Sequence, residues 1–162
     1  MYAATSIQRK FRARVTAPAH PSCVMRNKYL LFGAVSAFIG VAAGAFGAHG
    51  LESRLPADLL AVYETGVRYE LTHAIALLFV GLATDRWPDA HWARAGWMFV
   101  AGTIVFSGSL YVLTLTGVRW LGAVTPLGGL CFLLGWVFAA AAAVRSDDRG
   151  RRSGTAAGSA GS

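Results

Sequence analysis

Residues 65–84 read TGVRYELTHAIALLFVGLAT, and whether this stretch crosses a lipid bilayer decides the fold. Between Glu70 and Asp85 there are only fourteen uncharged residues, which as a helix cover roughly 21 Å at about 1.5 Å each. A hydrocarbon core is about 30 Å thick and takes about 20 helical residues. A span ending near Thr84 must therefore begin near Thr65, which draws Arg68, Glu70 and His73 into or against hydrocarbon. Ionisable groups at that depth are expensive unless they face protein or water. Just upstream, Leu55-Pro56-Ala57-Asp58 has the form of a helix start, because Pro is tolerated in the first turn and an acid suits the positive end of the dipole. The helix is predicted to run from about Pro56 to Thr84, with its first turns in the interface.

The neighbouring segments settle the class. Tyr29–Ala48 gives twenty residues without a charge, Ala95–Val118 twenty-four and Trp120–Val144 twenty-five. Pro126 inside the last run would break a helix at mid-length. Placing Thr125 at the N-cap and Pro126 in the first turn starts that helix there, with 120–124 as a surface connector. Across the chain 55% of residues are apolar and 14% are charged, against about a quarter charged in a soluble domain. The reading is an all-α, four-helix transmembrane bundle with spans at about 29–48, 65–84, 95–118 and 126–144. A basic leader, 1–28, precedes it. A Gly/Ser/Ala/Arg tail, 145–162, follows it and lacks apolar periodicity, so it is expected to be disordered.

The net charge of +7 is collected at the flanks of the spans. Six basic residues (Arg9, Lys10, Arg12, Arg14, Arg26, Lys28) precede the first span and four (Arg145, Arg149, Arg151, Arg152) follow the last. This pattern marks membrane topology and anionic lipid, and argues against a nucleic-acid partner, which needs a basic face on a folded domain. With Arg86 and Arg94 in the 85–94 loop, twelve Lys/Arg fall on one side, against Arg54, Arg68 and Arg119 on the other. The excess places both termini in the cytoplasm. Trp87, Trp92 and Trp97 near one boundary and Trp120 at the other are expected to be interfacial anchors. The leader reads as a targeting segment or as sequence upstream of a start at Met25, and a signal peptide cleaved after 45–48 is the competing reading. Cys23 and Cys131 lie in surroundings too different for a disulfide or a zinc site, so Cys131 is read as packing.

Antiparallel threading gathers polar residues in the outer half of the bundle. The candidate cluster is His49, Glu64, Arg68, Glu70, His73 and Thr125, with Ser107 and Ser109 nearer the midplane. Glu64 and Arg68 are spaced i, i+4 and Glu70 and His73 i, i+3, so each pair can meet along the helix. The two pairs point to nearly opposite faces, one toward the bundle and the other toward the rim. The cluster is either a network that fixes helix register or a proton relay, ion site or small polar pocket. Its histidines lack a third ligand at metal spacing, and no metal or other cofactor is called for. On the first span, Ser36, Gly40, Gly44 and Ala48 form a small-residue stripe with Gly47 beside it, suited to close approach by another helix of the bundle or of a second copy. No nucleophile elbow, Walker loop or dinucleotide turn occurs, so no enzymatic activity is expected.

Four blocks, in order, resemble domain-of-unknown-function family 423. They are Gly44-Ala45-Phe46-Gly47-Ala48-His49-Gly50-Leu51, Glu64-Thr65-Gly66-Val67-Arg68-Tyr69 with His73-Ala74, Phe106-Ser107-Gly108-Ser109-Leu110-Tyr111, and Thr125-Pro126-Leu127-Gly128-Gly129 with Gly135-Trp136. The likeness covers about Met25 to Val144, and Glu70 stands where glutamine is common. It implies a four-helix, multi-pass bacterial inner-membrane protein and carries no assigned activity. The expected role is a structural or accessory inner-membrane protein whose partners are the lipid bilayer and other membrane proteins or itself. The alternative is a small transporter or proton-coupled permease component using the Arg/Glu/His cluster.

Overall fold

In a computed structural model of the chain, residues 28–159 are described, with side chains through Ser146. The leader before Lys28, including Cys23, lies outside the described residues. Four helices cross the bundle: α1 (Lys28–Leu51), α2 (Ala57–Arg86), α3 (Ala90–Thr116) and α4 (Thr125–Ser159). α1 ends in a π-helical turn at Gly47–Leu51, and α3 carries another at its middle, Thr103–Ser107. The start of α1, the short 87–89 loop and the Ala139–Ala142 part of α4 share one end of the bundle, the near end. Residues 52–56 and 117–124 occupy the far end.

The helix boundaries follow local chemistry. α3 begins at Ala90, five residues before the expected start, because Asp89 acts as N-cap and its carboxylate accepts the His91 backbone N–H at 2.8 Å. It ends at Gly117, whose φ of 74° is the left-handed conformation that glycine adopts without strain. A short 3-10 turn at Arg119–Ala123 then leads into α4 at Thr125. The α4 backbone stays helical to Ser159, past the apolar run that ends at Val144, where the sequence predicts an irregular tail. The run of apolar residues marks where lipid contact stops, whereas the backbone ladder can continue beyond it.

α2 resolves the tension in its sequence by position. It is the least apolar of the four spans, yet the most buried against its neighbours. Helices facing lipid must be apolar, whereas one enclosed by other helices can carry polar groups that find protein partners. α1 packs along α2, α4 packs along the first half of α3, and α2 and α3 form the central pair. The core contains Tyr29, Leu77, Val80, Trp92, Phe99 and Phe132. Trp92 is therefore a core residue, 3% exposed and edge-on to Phe79 at 5.6 Å, while Trp87, Trp97 and Trp120 are exposed. Its place in the first turn of α3 turns the ring toward α2, so it does not act as the interfacial anchor expected of it.

Close helix approach rests on absent side chains. A Cβ on Gly128 would lie 2.4 Å from the backbone nitrogen of Phe106, whereas a Cβ on Gly108 would meet nothing within 4 Å. Overpacking against backbone costs about 1–3 kcal/mol, and alanine in an open helical position gains up to about 1 kcal/mol over glycine. Gly128→Ala is expected to lower the SDS midpoint of unfolding in mixed micelles, and Gly108→Ala to leave it unchanged or raise it. Equal effects of the two substitutions would show that α3 and α4 are not packed at this distance.

Candidate functional site

The polar side chains of the described spans sort into separate ties between helices. Glu70, on α2, is 5% exposed, and its Oε2 accepts the Tyr111 hydroxyl of α3 at 2.7 Å. Its Oε1 receives only a long contact, 3.4 Å, from Ser36 on α1. One carboxyl thus joins three helices. Among the described residues no lysine or arginine pairs with it. Tyr63 packs against Tyr111 at 5.0 Å and donates to the Ala43 carbonyl at 3.0 Å, extending the same seam.

His73, also buried, belongs to a different assembly. Its Nδ1 lies 2.8 Å from the Tyr69 carbonyl, and the Trp136 indole N–H reaches its Nε2 at 3.3 Å. An indole N–H only donates and a carbonyl only accepts, so Nε2 is the acceptor and Nδ1 carries the proton. The ring stacks on Phe132 at 3.5 Å and 9°, with Phe99 beyond at 5.5 Å. Both nitrogens are therefore committed within α2 and across to α4.

The i, i+3 contact expected between Glu70 and His73 is not made. Three residues of helix turn the two side chains about 60° apart, which carries Glu70 toward α1 and α3 and His73 toward α4. Glu64 and Arg68 are both exposed on the outward face of α2 and form no ion pair with each other. They line a crevice of about 310 Å³ with Gly44, Gly47 and Tyr63. His49 is exposed in the π-helical end of α1 and joins neither assembly. Ser107 is buried and donates to the Gly66 carbonyl of α2 at 2.8 Å, and Ser109 and Thr125 share a hydrogen bond of 2.9 Å between α3 and α4.

Of the small-residue stripe of α1, Ser36, Gly40, Gly44 and the adjacent Gly47 face α2, whereas Ala48 is exposed. Gly40 lies against Leu71, Gly44 against Val67, and Gly47 against Tyr63, with Ser36 on Glu70. The sequence reasoning missed Tyr111 and Trp136 as partners of Glu70 and His73. Both lie inside the quoted blocks, but nothing in one-dimensional spacing states that residues 41 and 63 positions away are neighbours.

A bundle of four apolar helices with polar ties at depth is a multi-pass membrane protein. The chain belongs to the family described as proteins of unknown function DUF423, which matches residues 43–129. It is 43% identical over 118 residues to the UPF0382 membrane protein YwdK of Bacillus subtilis (strain 168), covering 72% of this chain and 96% of that one. It is 42% identical over 110 residues to the UPF0382 membrane protein SAB0533 of Staphylococcus aureus (strain bovine RF122 / ET3-1), covering 67% and 88%. No solved structure matches the chain.

Interhelical hydrogen bonds in membranes average about 0.6 kcal/mol and reach about 1.7. Tyr111→Phe, which removes the 2.7 Å donor to a carboxyl, is expected to cost about 1 kcal/mol in mixed-micelle unfolding. In a double-mutant cycle its effect should largely vanish in the Glu70→Leu background. Additive losses would mean that the two side chains do not interact.

Proposed function

We propose that the chain serves as a structural or accessory protein of the cell membrane, with both termini cytoplasmic, and that its deep polar residues set helix register instead of processing a solute. The observation that carries this reading is the commitment of those residues to other helices. Glu70 bonds to α3 and α1, His73 to α4, Ser107 to the α2 backbone, and Ser109 to Thr125. Polar pairs of this kind favour one helix register over others, as a buried polar residue does in a coiled coil. A non-enzymatic role is part of the same proposal, since the His73 imidazole at depth keeps no nitrogen for proton transfer. Association with other membrane proteins or with a second copy would be the accessory role. The orientation rests on the excess of Lys and Arg in the sequence flanking the first and last spans and in the 85–94 loop.

A second reading, a small transporter or proton-coupled permease component, is favoured by one feature: a pocket of about 230 Å³ reaches Glu70. The two separate in sealed vesicles. Purified protein reconstituted with an internal pH-sensitive dye is expected to dissipate an imposed pH gradient no faster than protein-free vesicles. A proton flux above that baseline, abolished by Glu70→Gln, would replace the structural reading with the transport one.

A further inference from the structure

The pocket that reaches Glu70 lies between α1, α2 and α3, near the middle of the bundle. Its walls are apolar, formed by side chains such as Phe32, Val35, Ile39, Leu77 and Ile104. Ser36, Glu70 and Thr103 supply its polar groups. Two of these are incompletely satisfied. Glu70 Oε1 has only the 3.4 Å contact from Ser36, well beyond the 2.7–2.8 Å usual between hydroxyl and oxygen. The Thr103 hydroxyl is buried and makes no hydrogen bond.

Thr103 differs in this from other threonines of the spans. Thr65, Thr72, Thr84, Thr114 and Thr116 each return their hydroxyl to a carbonyl three or four residues earlier, the usual way a helix in lipid disposes of a hydroxyl. Thr103 opens the π-helical turn of α3, a distortion found often at functional sites. Because it lines the pocket, one rotamer change exchanges its methyl and hydroxyl across the wall.

We infer that this pocket binds a lipophilic alcohol, its hydroxyl donating to Glu70 Oε1 and accepting from the Thr103 hydroxyl while its apolar body fills the space toward lipid. A hydroxyl is the smallest group that both donates and accepts, so it satisfies both atoms at once. One water can bridge these polar groups, but it fills only about 30 Å³ of roughly 230 Å³, and the apolar walls offer further waters no partners, whereas the body of an alcohol fills that space. Size agrees: an engineered apolar cavity of about 150 Å³ accepts benzene, so about 230 Å³ accepts a substituted ring or a short branched or straight chain. Access is from the bilayer, since Val35, Ile39 and Ile104 are 47%, 47% and 68% exposed on the helix surface. The site stands whether the polar ties are purely structural or take part in transport.

The test is photolabelling of the protein in lipid vesicles with 3-azioctanol, a diazirine-bearing octanol, followed by mass-spectrometric mapping. Adducts are expected on 32–39, 70–77 and 100–104, suppressed by excess n-octanol, by geraniol or by both, but not by octane. Which alcohol competes distinguishes a straight-chain from an isoprenoid source. Thr103→Val should reduce labelling at least fivefold and Thr103→Ser should retain it. Ile104→Trp, which narrows the mouth from a lipid-exposed position, should reduce labelling without touching the polar groups. Labelling spread evenly over exposed helix faces, equal competition by octane, or adducts unchanged in both Thr103→Val and Ile104→Trp would overturn the assignment.

Discussion

A carboxyl group near the middle of a membrane-spanning helix must find its hydrogen bonds inside the protein, and the arrangement of this bundle turns on how Glu70 does so. Water is absent from the hydrocarbon, so an unsatisfied polar group there costs several kcal/mol. Glu70 meets this by drawing the Tyr111 hydroxyl from α3 and, more loosely, Ser36 from α1. That requires α1 and α3 to lie on the same side of α2, and it requires α1 to come close. The glycines of α1 permit the approach: Gly40 sits directly against Leu71 and near the Glu70 side chain itself. His73, one face further round, fixes the other flank through Trp136 and the stacked Phe132. The most polar helix is consequently the most enclosed, and the lipid-facing helices are left free to be almost wholly apolar.

The same arrangement explains the two ends of the bundle. At the near end Tyr29 donates to the Ala93 carbonyl at 3.0 Å and fills the space above Gly96, joining the starts of α1 and α3, while Lys28 lies over the Tyr29 and Trp97 rings at 5.1 Å. Toward the far half of α2 the charged Glu64 and Arg68 stay exposed and separate, while uncharged donors serve the interior.

Hydropathy made the all-helical class and the four long apolar helices legible, since these depend on local composition. The i, i+3 and i, i+4 rule also reported correctly that Glu64/Arg68 and Glu70/His73 face different ways. It failed to report what each side chain touches. Glu70 and His73 share a helix but diverge, and their partners, Tyr111 and Trp136, come from helices whose rotation no single-helix periodicity encodes. Trp92 shows the same limit: a tryptophan near a boundary matches the pattern of an anchor, and only its rotation toward α2 buries it. The π-helical turn at Thr103–Ser107 leaves no composition signal, yet it accompanies both the unbonded Thr103 hydroxyl and the Ser107 tie to Gly66.

The most direct measurement of the central claim is infrared spectroscopy of the Glu70 carboxyl in lipid bilayers, isolated by difference against Glu70→Gln and compared between the parent protein and Tyr111→Phe. A hydroxyl bond to Oε2 predicts a carboxyl band that shifts when Tyr111→Phe removes the donor. A band at the position of a fully hydrated carboxyl group and indifferent to Tyr111 would contradict the account.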